Sequence, residues 1–439
     1  MVQVPVRPGP VDTSPDAGQE VPFDLHELIY SRTDERGVIL SANDVFERLA
    51  GHGWRDLIGA PHRLIRHPDM PKGFFNIFWH LLSSGEPAVG YVKNRSKDGR
   101  YYWVLAAAIP CAGGYFSVRM KPGSPLFHLM RAEYAKLRRR EETESLTPEV
   151  SANALRARLM ELGYRNYREF MSLALQAEMQ LRDSGLGRSA DRVTDNLSGL
   201  VEAMTSALSE QGRLVGLFAN LKLLPVNMRL IASRLEPQGG PISQISMNYK
   251  TSFDNISERL TSFVTGENNI CGRMDNAVRR SLVLSNVARL HLEMSQTIRN
   301  PQPDGRAEGE EQRKEHRIVE QLGQTSNDRM RDSLTEAARL AANLIASAFE
   351  IRRMVLGLDT IRILGRVESR RDPVFENACS ATLDQIDSVQ AEISASLQNL
   401  SNLAVAIQTG LTLITATRRP ETDTRANTGR PSAQRLAAE

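Results

Sequence analysis

Residues 66–72 read Arg-His-Pro-Asp-Met-Pro-Lys, and the chain continues with Val92-Lys93-Asn94-Arg95 and then Tyr101-Tyr102-Trp103-Val104. Around these stretches, between Glu27 and Pro122, the apolar residues switch repeatedly between a period of two and a period of 3.6. That pattern predicts strands mixed with short helices. This part of the chain is therefore predicted to be a compact α+β domain.

The predicted elements follow the order two strands, short helices, three strands. The turn Asp34-Glu35-Arg36-Gly37 joins the first two strands, and Asp98-Gly99 is a strong hairpin signal between two of the later ones. Asp44 and Glu47 have the spacing of a capping pair that opens a short helix, which ends at Gly51. The other elements are a helix through Phe74 and Leu82 and strands at 28–30, 38–40, 89–95, 100–109 and 115–120.

One group of residues resembles the PAS sensory domain of bacterial aerotaxis receptors: Asn43, Arg66, His67, Asp69 and Asn94, together with Gly85-Glu86-Pro87. The resemblance covers Phe23 to Pro122 and implies a five-stranded antiparallel sheet with a ligand cavity between sheet and helices. In these receptors the cavity holds FAD. The resemblance therefore implies that FAD is bound by Asn43, Arg66, His67, Asp69, Trp79 and Asn94.

An apolar slot for a flavin ring is available in Phe75, Phe78 and Trp79, and the polar residues can orient the ring. The chain has Ala88 directly after Gly85-Glu86-Pro87, where these receptors usually carry tryptophan. Two alternatives therefore stay open at this point. One is heme bound through His62, His67 or His80, and the other is a domain with no cofactor.

The rest of the chain is predicted to be α-helical, with few aromatic residues and aliphatic cores. The predicted divisions are a disordered segment at 1–22, the PAS domain at 23–122, a helical linker at 123–187, a first antiparallel helical hairpin at 188–299, a linker at 300–311, a second hairpin at 312–418 and a disordered tail at 419–439.

The two hairpins suggest an internal repeat at an offset of 133 residues. Met228-Arg229-Leu230-Ile231 aligns with Ile361-Arg362-Ile363-Leu364, and Phe253-Asp254-Asn255-Ile256 aligns with Ile386-Asp387-Ser388-Val389. Chance similarity between amphipathic helices is the alternative. If the repeat is real, two such hairpins could pack as one four-helix bundle.

The turn region of the first hairpin resembles a diverged signalling tip of methyl-accepting chemotaxis proteins. Leu223-Leu224-Pro225-Val226-Asn227 is followed by Ala232-Ser233-Arg234 and by Gln238-Gly239. The resemblance implies that Asn227 and Arg234 bind the chemotaxis kinase or its coupling protein. A plain helical hairpin, which associates into a homodimer, is the alternative.

Charge and composition exclude several classes of protein. The net charge of +3, from 55 basic and 52 acidic residues, does not favour a nucleic-acid partner. No run of about 18 consecutive apolar residues predicts membrane insertion, and the N-terminus lacks the apolar core of a signal peptide, so a cytoplasmic location is expected. Cys111, Cys271 and Cys379 lack the spacing of a metal site or a disulfide framework.

No enzyme motif is present, since His291 has no nucleotide-binding motif that would make it the phosphoacceptor of a kinase. The sequence thus predicts a non-enzymatic, cytoplasmic PAS sensor of redox state, oxygen or a small ligand. Its signal would pass to the helical region, in aerotaxis or chemotaxis. The alternative is a helical scaffold or kinase regulator in which the PAS domain serves for dimerisation or docking.

Overall fold

The structure is a computed structural model that describes residues 20–234, 240–264, 269–299, 310–371 and 373–417. The segments predicted as 1–22, 300–311 and 419–439 lie almost entirely outside the described residues, as do Gln238 and Gly239. The predicted fold class is confirmed, because a five-stranded antiparallel sheet with short helices precedes a long helical region.

The sheet has the strand order β2-β1-β5-β4-β3, and every neighbouring pair is antiparallel. The strands are β1 Ile29–Asp34, β2 Ile39–Ala42, β3 Ala88–Arg95, β4 Tyr101–Cys111 and β5 Gly114–Met120. Between β2 and β3 lie α1 Asp44–Ala50, α2 Trp54–Leu57, a 3-10 helix His62–Ile65 and α3 Lys72–Ser83.

The predicted capping pair of α1 is wrong. The residue that caps α1 is Asn43, whose side chain accepts a hydrogen bond from the Phe46 amide. Glu47 instead accepts from the Trp54 amide, 3.0 Å away, and so holds the start of α2. Asn43 has the extended backbone of an N-cap and a short polar side chain, so it satisfies the free amides of the first turn one residue earlier than expected.

The residues predicted as a linker form three helices, namely α4 Pro125–Thr143, α5 Pro148–Glu161 and α6 Tyr167–Gly185. Of these, α4 and α6 pack against the PAS sheet and α5 packs against α3. Successive side chains of a strand point to opposite faces of a sheet, so each strand has one set of residues toward α3 and another on the opposite face, where α4 and α6 cover β3. In β3, the Tyr91 ring contacts Phe127 of α4 and Phe170 of α6.

Glu178 of α6 ties these helices to the sheet. Its buried carboxylate accepts hydrogen bonds from the Tyr91 hydroxyl at 3.0 Å, the Ser124 hydroxyl at 2.6 Å and the Gly123 amide at 2.8 Å. Since Ser124 caps α4, this one side chain of α6 joins strand β3 to the start of α4.

The remaining helices form a four-helix bundle within the single chain. Its elements are α7 Arg192–Leu221, α8 Leu224–Ser233, α9 Gly240–Val264, α10 Ile270–Arg299, α11 Glu310–Ser369 and α12 Pro373–Thr417. The arms α7–α8 and α9–α10 make up the first hairpin, and α11 and α12 make up the second. The 60 residues of α11 extend over roughly 90 Å at 1.5 Å per residue.

Several pairs of positions that are 133 residues apart are buried in the core of this bundle. Leu197 and Met330, Phe218 and Ile351, and Leu260 and Ile393 are buried in the same core. One helical stretch, Arg192–Ser233, is long and apolar enough to cross a membrane when only length and composition are considered, although no run of consecutive apolar residues predicted this.

The bundle also contacts the outer face of the PAS sheet. Phe116 of β5 stacks on Tyr30 of β1, and it makes an edge-to-face contact with the His291 ring of α10, with the ring centroids 5.4 Å apart. Beside this stack, Arg32 of β1 donates two hydrogen bonds to Glu315 of α11, at 2.7 and 3.1 Å. The sheet is therefore joined directly to both hairpins.

His291 should make this contact sensitive to acid. Burial lowers the pKa of His291 to about 4, so the unfolded chain takes up the proton first as the pH falls. The contribution to stability is complete above about pH 6.5 and declines toward pH 4; by pH 5 we expect a loss of about 2 kcal/mol. The loss of unfolding free energy between pH 7 and pH 5 is measured by denaturant unfolding of wild type and of His291→Leu, followed by tryptophan fluorescence. If wild type and His291→Leu lose the same unfolding free energy at pH 5, His291 is not the cause of the acid sensitivity.

Candidate functional site

A cavity of about 400 Å³ lies between the PAS sheet and α3. This volume is within the range of the volumes of small-molecule binding sites. Helix α3 provides an apolar wall of Phe75, Phe78, Trp79 and Leu82. The opposite wall is formed by small and apolar residues of the sheet, which leave room for a flat group: Val92, Ala106 and Ala108.

Alternation along β5 explains which residues reach the cavity. Tyr115, Ser117 and Arg119 line the cavity, whereas Phe116 between them faces the bundle. The Trp79 ring packs edge-on against Tyr115, with centroids 5.4 Å apart. The rigid sheet therefore positions both the polar residues of the cavity and the aromatic wall.

Arg119 is the most unusual of these residues, since its guanidinium is buried. It donates to the Ser31 hydroxyl at 2.8 Å and to His62 Nε2 at 2.7 Å, and its other terminal nitrogen has no hydrogen-bond partner among the described residues. Burial lowers the pKa of Arg119 to about 10. Burial, together with the charge of Arg119, also holds the pKa of His62 well below its usual value, so His62 is a neutral acceptor.

Arg66 and Asn94 provide two further donors. The Arg66 guanidinium carbon lies 3.5 Å from the centroid of the Phe75 ring, and burial lowers the pKa of this arginine. Arg66 and Asn94 are joined by a backbone bridge. Within the described part of the chain, neither Arg66 Nε nor Asn94 Nδ2 has a hydrogen-bond partner. Buried donors of this kind are normally satisfied, which points to a ligand that accepts from them.

The charges around the cavity are all of one sign. Four arginines line it, namely Arg36, Arg63, Arg66 and Arg119, and none of the described lining residues is acidic. Arg36 is exposed and pairs with Asp34 outside the cavity. The half-buried guanidinium of Arg66 and the buried guanidinium of Arg119 lack such a partner in the lining, so the site favours a ligand that carries negative charge or strong acceptor atoms.

The structure brings together only some of the predicted site residues. Arg66, Trp79 and Asn94 line the cavity, whereas Asn43, His67 and Asp69 do not. Asp69 accepts from Lys93 Nζ at 2.7 Å; burial acts to raise its pKa, but the hydrogen bond and charge of Lys93 outweigh burial and lower it. His67 accepts from the Asp69 amide through Nδ1, in the turn before α3.

Asn43 is expected to act on stability and not on ligand binding. Besides capping α1, its side chain accepts from the Tyr30 amide and donates to the Leu28 carbonyl. Asn43→Ala should therefore cost about 1–2 kcal/mol of unfolding free energy. Urea unfolding checks this, and Asn94→Ala is the matched comparison, because it should weaken ligand binding instead. Normal stability combined with lost binding in Asn43→Ala would contradict this assignment.

A second, shallower cavity of about 680 Å³ lies beside the first and shares Arg66, Phe75, Trp79 and Tyr115 with it. Its other residues include the basic Lys72, His80 and the carboxylates of Glu35 and Glu149. Of the three histidines considered as heme ligands, only His62 lines the inner cavity, and its Nε2 faces a guanidinium. That arrangement is unfavourable for an iron ligand, because the same nitrogen would have to bind the metal.

The structure places the two predicted partner-binding residues at the far end of the bundle. Asn227 lies in α8 and Arg234 is the residue at its C-terminal end, and both are exposed. Ile231 packs partly against the bundle core.

Sequence reasoning missed Arg119 as a member of the site, and it considered His62 only as a heme ligand and not as the partner of Arg119. A signal for Arg119 was present, because it is the one charged residue in the otherwise apolar or hydroxyl-bearing strand Tyr115-Phe116-Ser117-Val118-Arg119-Met120. Ser117 and Arg119 are two residues apart, so one face of this strand is polar. His62 had no such signal, since it lies in an irregular segment.

Comparisons with known proteins support the assignment of this domain. Residues 39–113 match the PAS fold family. Over 108 residues, the chain is 42% identical to the aerotaxis receptor of Escherichia coli strain K12, a match that covers 24% of this chain and 21% of the receptor. The solved PAS domain of a protein from Colwellia psychrerythraea is 22% identical, over 21% of this chain and 85% of that one, with a TM-score of 0.19. The match thus spans about a fifth of the receptor's length.

Proposed function

Because the N-terminal part of this chain is a PAS domain of the aerotaxis-receptor type, we propose that the chain is a signal-transduction sensor whose ligand binds in the cavity beneath α3. The observation that carries the proposal is a pair of arginines, the half-buried Arg66 and the buried Arg119, which face one cavity that has no carboxylate among its described lining residues. The cost of burying these charges is offset only when a ligand of complementary charge is bound.

We propose FAD as this ligand. The aromatic wall formed by Phe75 and Trp79 fits a flat ring, and Arg66, Asn94 and Arg119 supply donors for the acceptor atoms along its edge. The inner cavity is too small for a whole dinucleotide, so the adenosine and phosphates would extend into the adjoining cavity, near Lys72. A bound flavin would supply redox chemistry, and the two guanidiniums would stabilise negative charge on the reduced ring.

The signal would leave the cavity through the sheet. Ser31 and Thr33 line the cavity, and Arg32 between them pairs with Glu315 of α11. Phe116, which lies between Tyr115 and Ser117, contacts His291 of α10. A small shift of β1 or β5 toward a charged ligand would therefore move side chains that hold the bundle. A ligand that binds one of the two arrangements better would shift the population between them.

The output would be a change in protein contacts at the bundle, in aerotaxis or chemotaxis, within the cytoplasm and without enzymatic activity. Asn227 and Arg234 are exposed at the bundle end, so they are available to a chemotaxis kinase or its coupling protein. The alternative is a helical scaffold or kinase regulator, in which the PAS domain is used for dimerisation or for docking a partner. The extended contact between sheet and bundle favours the sensor, because a docking module would not need buried ion pairs such as Arg32–Glu315.

The absorption spectrum of the purified full-length chain tests the proposal. We expect the two absorption bands of an oxidised flavin, lost on denaturation, and we expect apoprotein to take up added FAD. A Soret band would favour heme in its place. A colourless protein that takes up neither FAD nor heme would contradict the cofactor, and anion binding at Arg119 would then be tested with other ligands.

A further inference from the structure

We propose that the exposed face of α8, continued from the end of α7, docks onto a membrane surface that carries anionic lipids. The face consists of Val215, Ala219, Leu223, Val226 and Leu230, flanked by Lys222, Arg229 and Arg234; below it is called the α8 stripe. Membrane docking goes beyond the proposed sensing function and does not depend on the identity of the ligand in the PAS cavity. Because it uses Arg234, it would compete with a chemotaxis partner that binds the same residue.

The spacing of the apolar residues places them on one side of the helix. Leu223, Val226 and Leu230 are separated by three and four residues, which is the helical repeat. Leu223 is 63% exposed and Leu230 is 54% exposed, whereas Leu224 and Met228, which point the other way, are buried in the bundle. The helix thus has two apolar sides, and packing within the chain uses one of them.

The charges around the stripe are all positive. From Gln211 to Arg234 the sequence contains four basic residues and no acidic residue; the next carboxylate in the chain is Glu236. Lys222, Arg229 and Arg234 form no ion pair with any described residue. The carboxylates of α12 at this end of the bundle, Asp384 and Asp387, are already paired with Arg362 and Arg366 of α11.

This chemistry fits a lipid surface better than a protein. The exposed side chains are aliphatic, whereas protein interfaces are anchored mainly by tryptophan, tyrosine and arginine in pockets. Aliphatic residues flanked by lysine and arginine are typical of helices that lie in the headgroup region of an anionic bilayer.

The internal repeat provides a matched control. Leu230 and Ile363 are 133 residues apart, and Ile363 is 53% exposed, nearly the same as Leu230. The arginines beside Ile363, Arg362 and Arg366, are neutralised by ion pairs, while those beside Leu230 are not. A docking site on α8 should therefore respond to changes at Leu230 and not at Ile363.

Co-sedimentation of the full-length chain with vesicles tests the proposal. We expect binding to vesicles of phosphatidylcholine with about one third phosphatidylserine, loss of that binding at high salt, and none to phosphatidylcholine alone. Arg229→Glu/Arg234→Glu should weaken binding by about 25-fold or more, since each basic residue contributes roughly fivefold. Leu223→Ser/Leu230→Ser should weaken it by at least tenfold, on the order expected for two aliphatic side chains. Leu356→Ser/Ile363→Ser should bind like wild type.

Three outcomes would overturn the proposal. In the first, the wild-type chain does not bind anionic vesicles. In the second, the α8 variants and the α11 control lose vesicle binding equally. In the third, Leu223→Ser/Leu230→Ser binds the vesicles as tightly as wild type. Soluble polyglutamate serves as a probe without lipid. If it binds as tightly as the vesicles do, the occupant is an acidic protein and not a membrane. All the changed residues are exposed, and far-UV circular dichroism of each variant confirms that helix content is kept.

Discussion

Replacing Arg119 by Met should lower the affinity of the PAS cavity for FAD by roughly 10–150-fold, the equivalent of about 1.5–3 kcal/mol for one hydrogen bond to a charged group. The stability of the apoprotein should change by less than about 1 kcal/mol. The variant loses hydrogen bonds to Ser31 and His62, but it also relieves the burial of a charge that has no carboxylate partner in the cavity. In this variant the affinity for FAD should therefore fall while the unfolding free energy stays nearly unchanged.

Titration of apoprotein with FAD, followed by flavin fluorescence, measures the affinity, and urea unfolding measures the stability. Arg63→Met is the matched control, because Arg63 lines the same cavity but is exposed, so water already screens its charge. Equal affinities of Arg119→Met and Arg63→Met for FAD would show that the buried charge does not contact the ligand.

Replacing Arg32 by Met should have the largest effect on stability, about 3–5 kcal/mol, because it leaves the buried carboxylate of Glu315 without the guanidinium that contacts it. The double variant Arg32→Met/Glu315→Met should recover most of that loss, since two apolar side chains of similar length can fill the same space. Ligand binding in the double variant should persist, while the response of the bundle to the ligand should be weakened.

Denaturant unfolding followed by tryptophan fluorescence is suited to this measurement, since all three tryptophans lie in the PAS domain. Arg36→Met is the control. Arg36 lies in the turn after β1 and pairs with Asp34, but its side chain is 84% exposed, so its loss should cost less than about 0.5 kcal/mol. A single variant Arg32→Met as stable as Arg36→Met would show that Glu315 does not depend on the contact.

Much of the PAS fold could be predicted from the sequence, because alternating apolar residues and Asp98-Gly99 report local geometry. Side-chain roles were less accessible. Asn43 is a suitable residue either for binding a flavin or for capping a helix, and only the position of the helix start decides between them. His67 and Asp69 are close to Arg66 in sequence, yet the turn before α3 directs them away from the cavity.

Contacts between distant parts of the chain could not be predicted in the same way. Phe116 and His291 are separated by long helices, and nothing local to either residue indicates the other. His291 was considered only as a kinase phosphoacceptor, whereas the structure places it in the contact between sheet and bundle. Buried aromatic and ionic contacts of this kind depend on how whole helices are oriented, which periodicity does not determine.

The closure of the four-helix bundle within one chain has a consequence for how the protein responds. Both hairpins of the bundle belong to one chain, and that chain has one PAS cavity. Each bundle is therefore controlled by one ligand-binding event, whereas a bundle built from two chains would be controlled by two. If the chain acts alone, occupancy of the cavity should follow a simple hyperbolic curve with no cooperativity. The two halves of the bundle differ in sequence, and the sheet contacts them differently: Arg32 pairs with Glu315 of α11, whereas Phe116 makes an aromatic contact with His291 of α10. The two hairpins would therefore receive the signal through different contacts, and the response within one molecule would be asymmetric from the start.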